Sequence, residues 1–215
     1  MLLDTIKSFV SYTLYVALVT LMLPFLPLRL WWRGRHAPAY RQRLAERFGF
    51  SNLKMRAGGI WVHAVSVGEV VAIAPTITAL KERHQHRDIL VTTTTPTGSQ
   101  RLSDIFGAAN VVRPDHNDEG CNNEGLYHQY LPYDWPIFMW LFLRSTRPAI
   151  LVIVETELWP ITLLLCRWLS IPVLVANARL SSKSAQGYAK VGWLSRVMLK
   201  NCLLYTSPSP RDKTV

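Results

Sequence analysis

The 215-residue chain carries 24 Lys and Arg against 14 Asp and Glu, a formal net charge of +10, yet only 18% of its residues are charged and 49% are hydrophobic. Such a field attracts phosphates in nucleic acid, anionic lipid or a phosphorylated substrate, but the hydrophobic fraction argues against a nucleic-acid binder, and 8 Trp with 8 Tyr suit a membrane interface better. Cys121, Cys166 and Cys202 show neither a disulfide framework nor zinc-ligand spacing, so a reducing cytoplasmic compartment is the default and no metal is expected.

Residues 8–28 hold no charge and are strongly apolar as far as Leu23. About 20 such residues suffice to cross a bilayer, but Pro24 and Pro27 break or kink a helix there. Arg29, Trp31, Trp32, Arg33 and Arg35 follow, an aromatic belt with a cationic flank. No small-residue cleavage site follows and the basic cluster lies on the wrong side for a signal peptide. Residues 1–32 therefore read as a membrane anchor, spanning or lying in one leaflet, with the body on the cytoplasmic side by the positive-inside rule.

The second half of residues 33–50 has helical composition and carries Arg41, Arg43, Glu46 and Arg47. Gly59-Ile-Trp-Val-His-Ala-Val65 predicts a strand, Ser66-Val-Gly68 a tight turn, and residues 69–84 a helix. Ile89-Leu-Val-Thr-Thr-Thr94 is a second strand that turns at Pro96-Thr-Gly98 into a helix over 99–106. Val111 and Val112 start a further strand, interrupted before residues 127–131. A helix over 137–143 leads to the uncharged run Pro148-Ala-Ile-Leu-Val-Ile-Val154, a strand buried on both faces. Residues 160–169 read as a helix and Val173-Leu-Val-Ala176 as the next strand. Strands alternating with helices mean βαβ units on a parallel sheet, one Rossmann-like domain over residues 33–201. Cys202-Leu-Leu-Tyr-Thr-Ser-Pro-Ser-Pro-Arg-Asp212 looks like a translated sequencing adapter, so residues 202–215 are set aside as a non-native tail and the chain is expected to stop short of a further domain.

Three strand-to-helix turns fall on the same predicted sheet edge: Ser66-Val-Gly-Glu69, Thr94-Thr-Pro-Thr-Gly-Ser99 and Glu155-Thr-Glu157. Ligands of open α/β sheets bind at that edge, and helix starts there offer backbone N–H groups to anions. Taken singly, Ser66, Ser99 and Thr156 also read as N-caps, and Glu69 and Glu157 as carboxylates favouring a helix dipole. Glu46 among Arg41, Arg43 and Arg47 suits a salt-bridge network or a general base kept ionised beside an anionic substrate. Arg179, with Ser181, Ser182 and Ser184 after it, reads as a phosphate or carboxylate clamp or as the start of a capped helix. His63 reads as a hydrogen-bonded core residue. Asp115-His-Asn-Asp-Glu-Gly120 resembles the start of a calcium loop, but Leu126 stands where the bidentate Glu belongs.

The stretches Arg33-Gly-Arg-His-Ala-Pro-Ala-Tyr-Arg, Glu46-Arg-Phe-Gly-Phe, His63-Ala-Val-Ser-Val-Gly-Glu, Thr94-Thr-Pro-Thr-Gly-Ser, Leu131-Pro-Tyr-Asp134, Glu155-Thr-Glu-Leu-Trp-Pro and Ala176-Asn-Ala-Arg-Leu-Ser together resemble the Kdo transferases. Those enzymes attach 3-deoxy-D-manno-oct-2-ulosonic acid to the lipid A precursor of Gram-negative bacteria. The resemblance implies the N-terminal Rossmann-like, acceptor-binding domain of a GT-B glycosyltransferase behind a membrane-anchoring helix, on the cytoplasmic face of the inner membrane among its phospholipids. A C-terminal domain, absent from this chain, would bind the donor CMP-Kdo, and without it the chain would be inactive. It also implies Glu46 as general base of an inverting transfer to lipid IVA needing no cofactor, with Glu155 and Glu157 supporting it. Arg41, Arg43, Arg179 and the turns with Ser66, Gly68, Glu69, Thr97, Gly98 and Ser99 would face the acceptor. A membrane-anchored module that binds anionic lipid or a phosphorylated ligand without catalysis is the alternative.

Overall fold

A computed structural model describes residues 2–114, 125–155, 158–176 and 202–204. Two helices come first, α1 (Leu2–Met22) and α2 (Phe25–His36), then a 3-10 turn (Pro38–Arg41) and the one-turn helix α3 (Leu44–Arg47). The rest alternates: β1 (Ile60–His63), α4 (Val67–Arg83), β2 (Ile89–Thr93), α5 (Pro96–Phe106), β3 (Leu126–Tyr130), α6 (Pro136–Thr146), β4 (Ile150–Val154), α7 (Pro160–Trp168), β5 (Val173–Ala176) and β6 (Cys202–Leu204).

The strands form one sheet in the order β3-β2-β1-β4-β5-β6, and every pairing is parallel. This is the doubly wound order, and it reverses between β1 and β4, which makes that junction the switch point where such sheets open a crevice. β1, β2 and β3 are buried at every position, so their polar His63, Thr92, Thr93, His128 and Gln129 lie inside with the apolar residues.

Two apolar layers sandwich the sheet. Val62, Val91 and Val154 pack with Val70, Ile73 and Ile77 of α4 and Leu102 of α5 on one face. Trp61, Leu90, Leu151 and Ile153 pack with Met139 and Phe142 of α6 and Ile161, Leu163 and Cys166 of α7 on the other. Tyr12, Tyr15 and Val16 of α1 lie against this second layer. Tyr15 Oη donates to Asp134 Oδ2 (2.9 Å) and Trp135 Nε1 to Thr20 Oγ1 (2.9 Å). The opposite side of α1 and the start of α2 leave Phe9, Val10, Leu14, Leu18, Leu21, Met22 and Phe25 exposed. Among the described residues no single helix is long and apolar enough to cross a membrane; Phe9–Met22 and Phe25–His36 reach that length only as a pair, bent by 50° at their break.

Three predicted boundaries differ. The sequence starts a helix at Ser99, but α5 begins at Pro96, because Thr95 accepts the Gly98 amide (3.1 Å) and Pro fits a first helical turn. Val111 and Val112 form no strand; Val112 makes a single bridge to Tyr127 and the ladder runs through β3. Cys202–Leu204, set aside with the tail, instead extends the sheet beside β5, in register with Val173, Leu174 and Val175.

Candidate active site

Glu46 and Arg47 share the single turn of α3, and both are buried, at 2% and 4% exposure. Gly49 ends that turn with φ +82, and a Cβ there would lie 2.2 Å from the Phe138 carbonyl oxygen, so only glycine lets α3 close onto α6. The Tyr133 amide donates to the Arg47 carbonyl (2.9 Å) and fixes the other side.

The Glu46 carboxylate is held at three points. Arg43 Nε donates to Oε1 (2.6 Å), Arg43 Nη2 to Oε2 (2.9 Å), and the Tyr130 amide at the end of β3 to Oε2 (2.7 Å). The salt-bridge reading of Glu46 describes this geometry, a two-point ion pair placed at the carboxyl edge of the sheet. Arg43 sits in the left-handed region (φ 55), reaches Ser99 Oγ (3.2 Å) and the His128 carbonyl (3.2 Å), and stacks 4.6 Å above the Tyr130 ring centroid. Arg47 lies 4.3 Å from the same centroid and donates through Nη1 to the Thr94 carbonyl (3.1 Å).

His128, fully buried, has Nδ1 3.1 Å from Arg43 Nη2 and Nε2 3.0 Å from Thr93 Oγ1. Burial, reinforced by Arg43, Arg113 and Arg47, holds it well below the usual histidine range, so it is a neutral partner. On the other face of the sheet His63, Thr92 and Gln129 stand side by side in register. His63 Nδ1 is 2.9 Å from Thr92 Oγ1, which also accepts from Trp61 Nε1 (2.8 Å). Burial pushes His63 down to about 4, as befits a core histidine. Its Nε2 and both amide atoms of Gln129 have no hydrogen-bond partner among the described residues.

The first two predicted turns share the carboxyl edge, and Glu155, the one described residue of the third, follows β4 on the same edge. Thr94 and Thr95 Oγ1 both donate to the Val65 carbonyl (3.3 Å each), tying the first two together. Within the first, Glu69 is committed to the turn itself: Oε2 accepts the Val65 amide (2.6 Å) and Oε1 the Ser66 hydroxyl (3.1 Å). Ser66 stands at the N-cap position of α4 but makes no side-chain cap hydrogen bond, since its hydroxyl donates to Glu69. Gly68 has open space around it. Ser99 points inward to Arg43, Thr97 is exposed, and the Gly98 amide is taken by Thr95.

Glu155 occupies the switch point, in the left-handed region (φ 63), its amide donating to the Ala176 carbonyl (2.9 Å). Strands β1 and β2 lie between β4, which leads into Glu155, and β3, whose Tyr130 amide holds Glu46. Arg41 leaves the Glu46 cluster altogether. It lies against Gly34 of α2 and donates to the Trp31 carbonyl (3.1 Å). Glu157, Thr156, Arg179 and the loop 115–120 lie outside the described residues.

Two residues carry more than their sequence context suggests. Asp134, 5% exposed, accepts the Ile161 amide (2.9 Å), the Thr162 amide (2.8 Å) and Thr162 Oγ1 (2.7 Å) besides Tyr15, and so caps α7 from a distance. Burial pushes its carboxyl up while those donors pull it down. Tyr130 is the plate between two guanidiniums. Neither role has a local signal, since each partner is remote in the chain. Among the described residues no three His, Cys, Asp or Glu come together to hold a metal ion.

These features define a doubly wound α/β domain whose cation-rich site lies at the carboxyl edge of its sheet. The model of the 3-deoxy-D-manno-octulosonic-acid transferase (kdotransferase) family matches residues 42–214, and the chain belongs to that family. It is 40% identical over 157 residues to the 3-deoxy-D-manno-octulosonic acid transferase of Haemophilus influenzae, covering 72% of this chain and 33% of that protein. The probable mitochondrial enzyme of that name from Arabidopsis thaliana is 33% identical over 174 residues (80% and 35%). The Bordetella pertussis enzyme is 32% identical over 179 (81% and 38%). The chain thus spans about a third of the length of these curated relatives.

Proposed function

We propose that the complete protein containing this chain is a glycosyltransferase of lipopolysaccharide synthesis that moves Kdo from CMP-Kdo to lipid IVA, and that this chain is its acceptor-side, Rossmann-like domain. Glu46 is the general base. It takes the proton of an acceptor hydroxyl as that oxygen bonds to the anomeric carbon of Kdo, the bond to CMP breaks, and the configuration inverts. The observation that carries this reading is the Glu46 carboxylate held beside a cationic cluster at the carboxyl edge of a family-member sheet. Its side chain is 3% exposed, so the hydroxyl reaches it as the Arg43 fork swings away. Glu155, at the switch point, positions the acceptor, since two strands lie between β4 and the end of β3 that holds Glu46.

The domain sits on the cytoplasmic face of the inner membrane in this reading, and the exposed apolar outer face of α1 supports its contact with lipid. Because Tyr12, Tyr15 and Val16 pack onto the domain core, α1 lies in the interface instead of crossing the bilayer. Transfer of radiolabelled Kdo to lipid IVA by the complete protein, and its loss in Glu46→Gln, tests the reading. Unchanged transfer in that variant removes Glu46 as base, and no transfer by the unaltered protein leaves a non-catalytic anionic-lipid module.

A further inference from the structure

Among the described residues, the buried cluster around Tyr130 holds two guanidiniums against one carboxylate. Arg43 spends its side-on edge, Nε and Nη2, on Glu46, and Arg56 uses the same edge on Asp88. Arg47 is built the same way but grips nothing with that edge: Nη1 is held by the Thr94 carbonyl, while Nε and Nη2 are buried without a hydrogen-bond partner among the described residues. Among the described residues that act on it, Glu46 is the one carboxylate, the phenols of Tyr40, Tyr130 and Tyr133 are neutral, and Arg43 already pairs with Glu46. A planar two-donor edge with a full positive charge matches two oxygens of one carboxylate or phosphate. A water offers one oxygen and no charge. Leaving such donors unmet in a buried site is unfavourable.

We propose that Arg47 is a substrate-binding residue whose Nε–Nη2 edge takes an oxyanion, a phosphate monoester or a carboxylate, directly beside Glu46. This rests on the transferase reading for its meaning but not for its test. The edge is closed to solvent, so the oxyanion enters with α3 displaced. Glu46 is on the same turn, and the displacement that admits the anion also bares the base.

The test follows the Arg47 Nε–H resonance of the complete protein by proton–nitrogen correlation, assigned by its loss in Arg47→Lys, during titration with inorganic phosphate and separately with acetate. A saturable shift with phosphate alone assigns the edge to a phosphate, and one with acetate alone, or with both, to a carboxylate-type oxyanion. No shift with either overturns the proposal. Arg47→Lys should bind the responding anion roughly tenfold to a hundredfold more weakly, and equal affinity overturns it. Glu46→Gln should keep the anion response while losing transfer, so failure of the base assignment and failure of the anion site are separable. Should Arg47→Lys fold poorly, the resonance can be assigned by sequential labelling in the unaltered protein, whose response alone decides.

Discussion

The hydroxyl of Tyr15 donates to Asp134 Oδ2 at 2.9 Å, across 119 residues of sequence, and joins the first helix to the capped start of α7. Asp134 serves both partners at once. Tyr15→Phe removes one donor and should lower stability by about 1 kcal/mol. Asp134→Ala strips the cap from α7 as well and should cost roughly 3 kcal/mol. Urea unfolding of the two variants ranks them; equal losses would dismiss Asp134 as a shared hub.

His63 gives the fold an acid limit. Its unfolded form titrates at the ordinary 6.5 and its folded form at about 4, so between those values the unfolded chain binds more protons. Stability is therefore full above pH 6.5 and falls as pH drops toward 4, by an amount on the order of 3 kcal/mol. His128, also held low, acts in the same direction. Unfolding midpoints at pH 7 and pH 4.5 should differ strongly, and His63→Gln should narrow the gap.

Glu155 holds a backbone conformation that costs a non-glycine residue free energy. Glu155→Gly should keep stability or raise it by up to about 1 kcal/mol, while the KM for the acceptor rises and kcat changes little. A lower melting temperature with unchanged KM would mean that the strain serves folding alone.

Leu18 lies on the outer face of α1, 56% exposed. Leu18→Lys should leave the melting temperature unchanged yet reduce flotation with anionic vesicles at least about tenfold, since a lysine in hydrocarbon costs roughly 2–3 kcal/mol. Undiminished flotation would assign the membrane contact elsewhere.

The sheet was legible because β1, β2 and β4 are continuous apolar runs ending at Gly, Pro and hydroxyl-rich turns, a pattern set by burial on both faces. Where propensity and capping competed, the boundary moved: Thr95 rather than Ser99 starts α5. Glu46 stood out from its arginine neighbours, but the sequence could not say which of them grips it. Arg41, Arg43 and Arg47 all lay near it in sequence, and the structure sends Arg43 to its carboxylate and Arg41 to the Trp31 carbonyl. Asp134 was visible within Leu-Pro-Tyr-Asp but carried no role, because the amides it accepts lie 27 and 28 residues away. Likewise the sequence did not show that two strands lie between β4, which leads into Glu155, and β3, which holds Glu46 through Tyr130.

Tyr12, Tyr15 and Val16 lie against the second apolar layer as partly buried members of its packing. Trimming the chain at residue 32 to obtain a detergent-free protein would therefore peel a wall off the second apolar layer and leave Asp134 short of a donor. A soluble version is better sought by recolouring the outward residues Leu14, Leu18 and Leu21 with polar ones while the inward tyrosines stay in place.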